Sequence, residues 1–256
     1  MSESPLLRVE SVSKSFGGVT AVNEVSLALP PRSVTALIGP NGAGKTTFYN
    51  LLSGELMPSR GAVYFRDARI SGLPPYKINR LGVARSFQIS NVFSDLTVAE
   101  NVQVPLIAHS RRALQLWRAR SGDGALRREA LAALETVGLA DMADTKTAEL
   151  AYGNKRLLEL AIALASNPAL VLLDEPAAGL TPEETRRLMA LLRRLIAEQP
   201  VTFFLTEHDM EVVFGLAETI HVLHRGALLA SGAPEEIRND PAVRQAYLGE
   251  EADSDA

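Results

Sequence analysis

The sequence has no cysteine, no long apolar run and no excess of positive charge. Without cysteine there are no disulfides and no thiol catalysis, a composition compatible with a reducing cytosol. No stretch approaches the ~20 apolar residues needed to cross a bilayer. Met1 to Pro5 are polar and lack the hydrophobic region of a signal peptide. The expectation is therefore a chain that is soluble on its own. A net charge of −4 gives no electrostatic support for nucleic-acid binding. What is present is an ordinary globular composition, with 46% hydrophobic and 22% charged residues in a chain of 256. That suits one large α/β domain or two small ones, and no internal repeat is visible.

The most informative stretch is Gly39-Pro40-Asn41-Gly42-Ala43-Gly44-Lys45-Thr46-Thr47. The apolar, strand-like run Val34 to Ile38 precedes it and the helix-compatible run Phe48 to Leu52 follows. A strand, a Gly-x4-Gly-Lys-Thr loop and a helix start make a P-loop. Gly42 and Gly44 adopt backbone angles that a side chain forbids, so successive N–H groups converge on one anion. The helix start adds free N–H groups and its positive dipole end. Lys45 reaches the outer phosphates, and the Thr46 hydroxyl is placed to ligate Mg²⁺.

Strand-like alternation marks Leu6 to Ser13 and Val22 to Leu29, joined by a turn with Phe16, Gly17 and Gly18. Phe16 is either a hairpin cap or, beside a nucleotide pocket, a ring that stacks on a base. Gly61 to Phe65 reads as a strand, Pro75 to Leu81 as a short helix and Val83 to Phe87 as another strand. Gln88 follows at that strand's C-terminal end, where open α/β sheets place ligand sites. It is either a plain loop glutamine or a neutral group that ligates Mg²⁺ or orients water.

From Val98 to about Val137 the pattern is helical, broken at Ser121 to Gly124. Arg111, Arg112, Arg118, Arg120, Arg127 and Arg128 surround Trp117 there. Such a run is a solvated helix face or a contact with a lipid surface or partner. Leu150 to Arg156 then open an apolar helix, Leu157 to Ser166, which Asn167-Pro168 stops. Gly153 at this entrance is a weak second anion site.

Leu170 to Leu173 reads as a strand buried on both faces and ends in Asp174-Glu175-Pro176. Two carboxylates at the mouth of a buried strand are costly to desolvate, which points away from a purely stabilising role. Asp174 suits a water-mediated Mg²⁺ ligand, and Glu175 a base or orienting group for attacking water. Pro182 to Glu198 is a helix with Thr181 as N-cap. Val201 to Leu205 is the next buried strand, and it delivers His208 to the same edge as Gln88 and Asp174. A hairpin over Ile220 to Ala230 and short helices over Pro234 to Tyr247 complete the chain, with an acidic tail from Glu250 expected to be disordered.

In this order the pieces resemble the ATP-binding subunit of an ABC transporter over nearly the full length. Phe16 falls on the adenine-stacking aromatic, Gly39 to Thr47 on Walker A and Gln88 on the Q-loop. Leu150 to Asn154 fall on the signature, Leu170 to Glu175 on Walker B, Ala178 to Thr181 on the D-loop and His208 on the switch histidine. The signature departs from the usual Leu-Ser-Gly-Gly-Gln, reading Leu-Ala-Tyr-Gly-Asn. Ala151 thus lacks a hydroxyl for the γ-phosphate and leaves the contact to Gly153. The D-loop reads Ala-Ala-Gly-Leu rather than Ser-Ala-Leu-Asp. Both departures, and the ending from Gly232 to Glu250, look like the subgroup serving branched-chain amino acid uptake.

The resemblance implies an α/β P-loop NTPase (RecA-like) core sheet with an N-terminal antiparallel β subdomain and an inserted α-helical subdomain. It implies one ABC ATPase domain over 5–249, helical from about 90 to 165, and a tail over 250–256. It further implies an ATPase using ATP and Mg²⁺. Phe16, Gly39, Asn41, Gly42, Ala43, Gly44, Lys45, Thr46 and Thr47 would bind ATP, and Gly153 would touch the partner chain's ATP. Thr46, Gln88 and Asp174 would hold Mg²⁺, and Glu175, His208, Lys45 and Gln88 would act in hydrolysis. Two such subunits, identical or different, would drive transmembrane permeases at the cytoplasmic face of the cell membrane, with a solute-binding protein as an indirect partner and no nucleic acid. Urea uptake and lipopolysaccharide export are the neighbouring alternatives, and a non-transport ATPase of translation or DNA repair is the alternative of another class.

Overall fold

The computed structural model describes residues 4–86, 92–109 and 124–253. The first strands, β1 (Leu7–Phe16) and β2 (Val19–Leu29), form an antiparallel hairpin. Both run further towards their shared turn than the alternation predicts. Register shifts between Val9 and Ser15 break the in–out pattern while pairing continues. After β3 (Val34–Ile38) and α1 (Lys45–Ser53), β4 (Arg60–Phe65) and the short β5 (Ala68–Arg69) complete a four-stranded antiparallel sheet, β2-β1-β4-β5.

The remaining strands build the core sheet. After α2 (Pro75–Leu81) comes β6 (Val83–Ser86), and Phe87 and Gln88 lie outside the described residues. Helices α3 (Val98–His109), α4 (Gly124–Val137) and α5 (Tyr152–Leu164) form the inserted layer, as its periodicity predicts. Gln88, Trp117 and four of the arginines, Arg111, Arg112, Arg118 and Arg120, fall outside the described residues. Helix α5 ends before the predicted Ser166, because Asn167 takes a left-handed φ of 49° ahead of Pro168. Then follow β7 (Leu170–Asp174), α6 (Pro182–Glu198), β8 (Thr202–Thr206), α7 (Met210–Leu216), β9 (Thr219–His224) and β10 (Ala227–Gly232). The six-stranded order is β10-β9-β3-β8-β7-β6, parallel except for the β9–β10 hairpin.

Helices α8 (Pro234–Asn239) and α9 (Pro241–Asp253) close the chain. The expected disordered tail is therefore corrected in part: Glu250 to Asp253 continue α9, and 254–256 lie outside the described residues. Helix α7 also escaped the sequence reading, although its cap is local: Asp209 accepts the Glu211 N–H at 2.8 Å. The predicted cap of α6 is present as a full capping box. Thr181 Oγ accepts the Glu184 N–H at 3.3 Å, and the Glu184 carboxylate accepts the Thr181 N–H at 2.8 Å.

The core sheet divides the apolar interior by strand periodicity. In β7, Val171 and Leu173 face the helical side, while Leu170 and Leu172 face α1 and the antiparallel sheet. Strand β8 repeats the division, with Phe203 and Leu205 on one side and Phe204 on the other. Phe48, Tyr49, Leu51 and Leu52 of α1 are all buried between the two sheets. At roughly 1.5–3 kcal/mol for each large apolar side chain, this burial fixes the helix that carries Lys45.

One buried histidine lies outside the predicted site. His221 on β9 places Nδ1 2.8 Å from Ser231 Oγ, and burial lowers its pKa from 6.5 to about 4. The unfolded chain therefore takes up a proton below pH 6.5 that the folded chain refuses until about pH 4. Stability should fall by about 2 kcal/mol from this group between pH 7.5 and pH 5. Denaturant titrations of the native chain and His221→Gln at both pH values isolate the effect, since the variant should lose that share of the acid sensitivity.

Candidate functional site

The P-loop leaves β3 at the C-terminal edge of the core sheet. Gly39 has a φ of 153°, and a Cβ on it would lie 2.1 Å from the Leu223 carbonyl oxygen. Gly44 has a φ of 102°, and its Cβ would meet the Ala21 carbonyl oxygen at 2.3 Å. Only glycine fits these two points, which press the loop against β9 and the N-terminal hairpin. Gly44 is also the N-cap of α1 and supplies no side-chain acceptor, so the first-turn N–H groups remain available to an anion.

Lys45 is buried, and its Nζ donates to the carbonyls of Gly39 and Pro40, at 2.9 Å for the latter. The ammonium is thus held over the loop's own backbone. Asn41, Gly42 and Thr46 are exposed, while Ala43 is buried and Thr47 half-buried. Phe16 is half-exposed at the end of β1, with Lys14 Nζ 5.1 Å from its ring centre. A ring this exposed is not a buried hairpin cap.

Strands β7 and β8 bring the polar strand ends together. Asp174 pairs with Thr206 in register, and the Thr206 hydroxyl donates to Asp174 Oδ1 at 2.6 Å. Asp174 Oδ2 lies 3.2 Å from Arg85 Nη2 on β6. Arg85 Nη1 also donates to Asn50 Oδ1 at 2.6 Å and Ser53 Oγ at 3.1 Å, both on α1. One guanidinium therefore joins the P-loop helix to the strand carrying the carboxylates.

Glu175 follows in a left-handed conformation, with a φ of 49°, anchored by its N–H to the Thr206 carbonyl at 3.0 Å. Its Oε1 is 3.1 Å from His208 Nε2. Beneath them, buried Glu207 accepts the Ala177 N–H at 2.7 Å and the His208 N–H at 3.3 Å. Burial raises the Glu207 carboxyl above the usual range, against the lowering effect of those two bonds.

Lys45, Asp174, Glu175 and His208 thus stand on neighbouring strand ends at one sheet edge, as the sequence predicts. Gly153 does not join them in this chain. It is buried at the start of α5, where a Cβ would come 2.2 Å from Glu184 Oε1. Among the described residues no cluster of three His, Cys, Asp or Glu could hold a metal by itself. Mg²⁺ is bound through one or two protein oxygens plus substrate phosphates, and the Asp174 carboxylate at the end of β7 is an oxygen donor of that kind. Thr46 lies exposed at the start of α1, and both Asp174 oxygens are already bonded, Oδ1 to Thr206 and Oδ2 to Arg85.

Sequence reasoning missed Arg85, Tyr49 and Glu207. Tyr49 is fully buried on α1, where its hydroxyl donates to the Phe204 carbonyl at 2.7 Å and its ring stacks on Phe204 at 5.2 Å. For Arg85 a signal existed, since an arginine within a buried strand needs a partner.

Comparisons with known proteins converge on one family. Residues 22–178 match the family model for the ABC transporter, and 227–253 match the model for the branched-chain amino acid ATP-binding cassette transporter. The high-affinity branched-chain amino acid transport ATP-binding protein LivG of Salmonella typhimurium is 43% identical, over 96% of this chain and 98% of its own length. The lipopolysaccharide export system ATP-binding protein LptB of Acidithiobacillus ferridurans is 35% identical, over 97% and 98%. Among solved structures, the ADP conformation of MJ1267, an ATP-binding cassette of an ABC transporter, superposes with a TM-score of 0.87 at 30% identity, over 96% of this chain and 100% of that one. A dimeric structure of MJ0796, a bacterial ABC transporter cassette, gives a TM-score of 0.76 at 26% identity, over 89% and 98%. With the glycine-rich loop, Asp174, Glu175 and His208 gathered at one sheet edge, and the likeness running almost end to end, this chain belongs to the ATP-binding cassette family of ABC transporters.

Proposed function

We propose that this chain is the ATP-binding and hydrolysing subunit of an ABC importer for branched-chain amino acids. The observation that carries the hydrolytic part is the pairing of Glu175 Oε1 with His208 Nε2 at 3.1 Å, on the sheet edge that also holds the P-loop. The branched-chain match over 227–253 and the likeness to LivG support the solute class. In this reading residues 5–249 form one ATPase domain with a helical subdomain over about 90–165.

In this reading the groups divide the chemistry among them. The P-loop N–H groups, Lys45 and the start of α1 bind the phosphates of ATP. Phe16 stacks on the adenine. Thr46, Gln88 and Asp174 hold Mg²⁺, which when bound neutralises charge on the phosphates. Glu175 orients or activates the attacking water, and His208 and Lys45 stabilise charge on the γ-phosphoryl. Two chains, identical or different, pair head to tail, so that Gly153 of each meets the nucleotide in the other's P-loop. The γ-phosphate then distinguishes the closed dimer from the open one.

Among the described residues no helix is long and apolar enough to cross a membrane. The chain would sit on the cytoplasmic face of the membrane through permeases, which closure and opening would drive. Lipopolysaccharide export is a second reading, favoured by the 35% identity to LptB. A membrane pull-down separates the two. Two permeases with an amino acid-binding protein support uptake; lipid-export components, or ribosomes or DNA without permeases, overturn it.

Two substitutions test the chemistry. Glu175→Gln should bind ATP, form a stable dimer and hydrolyse about 10²–10⁴-fold more slowly, and near-native turnover would exclude Glu175 as the group that activates water. Lys45→Ala should weaken ATP binding about a hundredfold in a nucleotide titration, the loss of ~2–3 kcal/mol of charge-assisted hydrogen bonding.

A further inference from the structure

Tyr152 stands beside Gly153 at the first residue of α5, half-exposed, and the roles above leave it without one. Its hydroxyl donates to the Ala178 carbonyl at 3.1 Å. Gly179 has a φ of 77°, and a Cβ there would lie 3.0 Å from Cε1 and 3.2 Å from Oη of Tyr152. The turn that follows Glu175 is therefore shaped around this ring, and any side chain at 179 would push against it. One helical turn on, the Arg156 guanidinium lies 5.3 Å from the centre of the ring. Arg156 is itself fixed by Glu159 at 3.0 Å, a pair with only 9% of each side chain exposed. The ring is thus braced from α5 and its hydroxyl is spent on the turn.

That turn starts at Glu175. The Ala178 N–H bonds to the Glu175 carbonyl at 3.1 Å, so Ala178 and Glu175 share one reverse turn. Glu175 keeps a left-handed φ of 49°, which a residue with a β-carbon holds only when its surroundings fix it. The Thr206 backbone fixes it from the sheet side, and the Tyr152–Ala178 bond fixes the turn from the helical side.

We propose that Tyr152 is a positioning residue that ties the contact made by Gly153 to the geometry of Glu175 through the Ala178–Gly179 turn. This rests on the head-to-tail pairing above, in which Gly153 meets one nucleotide and Glu175 of the same chain acts on the other. Engagement of the first nucleotide moves α5, and Tyr152 carries that movement to the carboxylate serving the second. The two sites are thereby linked within one chain, so hydrolysis depends cooperatively on ATP.

Tyr152→Phe in the full-length chain removes the hydroxyl and keeps the ring against Gly179. ATPase activity is measured as a function of ATP concentration, with thermal unfolding as the check on folding. In parallel, dimer formation on ATP is followed by light scattering for Glu175→Gln and for Glu175→Gln/Tyr152→Phe. The expected result is a kcat about fivefold lower, as for loss of one neutral hydrogen bond, with the Hill coefficient falling towards one. The ATP KM should stay within twofold, Tm should fall by no more than about 2–4 °C, and dimer formation should match the parent. A kcat and Hill coefficient equal to the parent's, with ATP-driven dimers still forming on the Glu175→Gln background, overturns the role of Tyr152 and leaves the dimer reading standing. A lower Tm with a raised KM and unchanged cooperativity assigns Tyr152 to packing and also overturns it. Absence of the ATP-driven dimer in Glu175→Gln itself removes the pairing, and this inference with it.

Discussion

A guanidinium taken out of water must be met on several sides, and Arg85 is met by two elements at once. With its side chain 10% exposed, it bonds to Asn50 and Ser53 on α1 and to Asp174 on β7, and lies 3.3 Å from Glu55. A pair so buried adds little net stability, because desolvation offsets the Coulomb attraction. Its effect is on position. Deleting one partner would leave the other charge buried and unpaired, at a cost of ~3–5 kcal/mol, so the P-loop helix and the carboxylate strand hold one relative placement. Thr206 extends the restraint to β8, and Glu175 and His208 inherit it through the backbone.

The apolar layers serve the same geometry. Helix α1 is packed between two sheets, with Tyr49 stacked on Phe204 and hydrogen-bonded to its carbonyl. Full burial raises the Tyr49 pKa well above the usual phenol value, so its hydroxyl stays a donor. A helix fixed by both burial and polar bonds delivers Lys45 to the sheet edge without relying on the loop itself. Gly39 and Gly44, in close approach to Leu223 and Ala21, pin the ends of the loop.

Much of this was legible from local sequence. The glycine-rich loop, the buried run of β7 and the Thr181 N-cap each declare themselves within a few neighbouring residues, and all three appear where predicted. The strand ends that gather Asp174 and His208 followed from counting buried strands. What stayed hidden depends on partners far apart in the chain. Arg85 and Asp174 are separated by 89 positions, and Tyr49 and Phe204 by 155. Nothing in the local sequence marks Glu207, and only the fold places the Ala177 N–H against it. The strand limits near Phe16 were missed because bulges interrupt the alternation on which such limits are read.

In the proposed dimer the sheet edge of one chain is completed by the α5 entrance of another when ATP is bound. A sequence without cysteine allows a direct measurement of that contact. Asn41 and Ala151 are both exposed, on the P-loop and beside Gly153. Chains carrying Asn41→Cys are mixed with chains carrying Ala151→Cys, both on the Glu175→Gln background, and oxidised with and without ATP and Mg²⁺. The account requires a disulfide between the two kinds of chain that forms rapidly with ATP and poorly without it. Cross-linking that ignores ATP, or that joins only like positions, would contradict it.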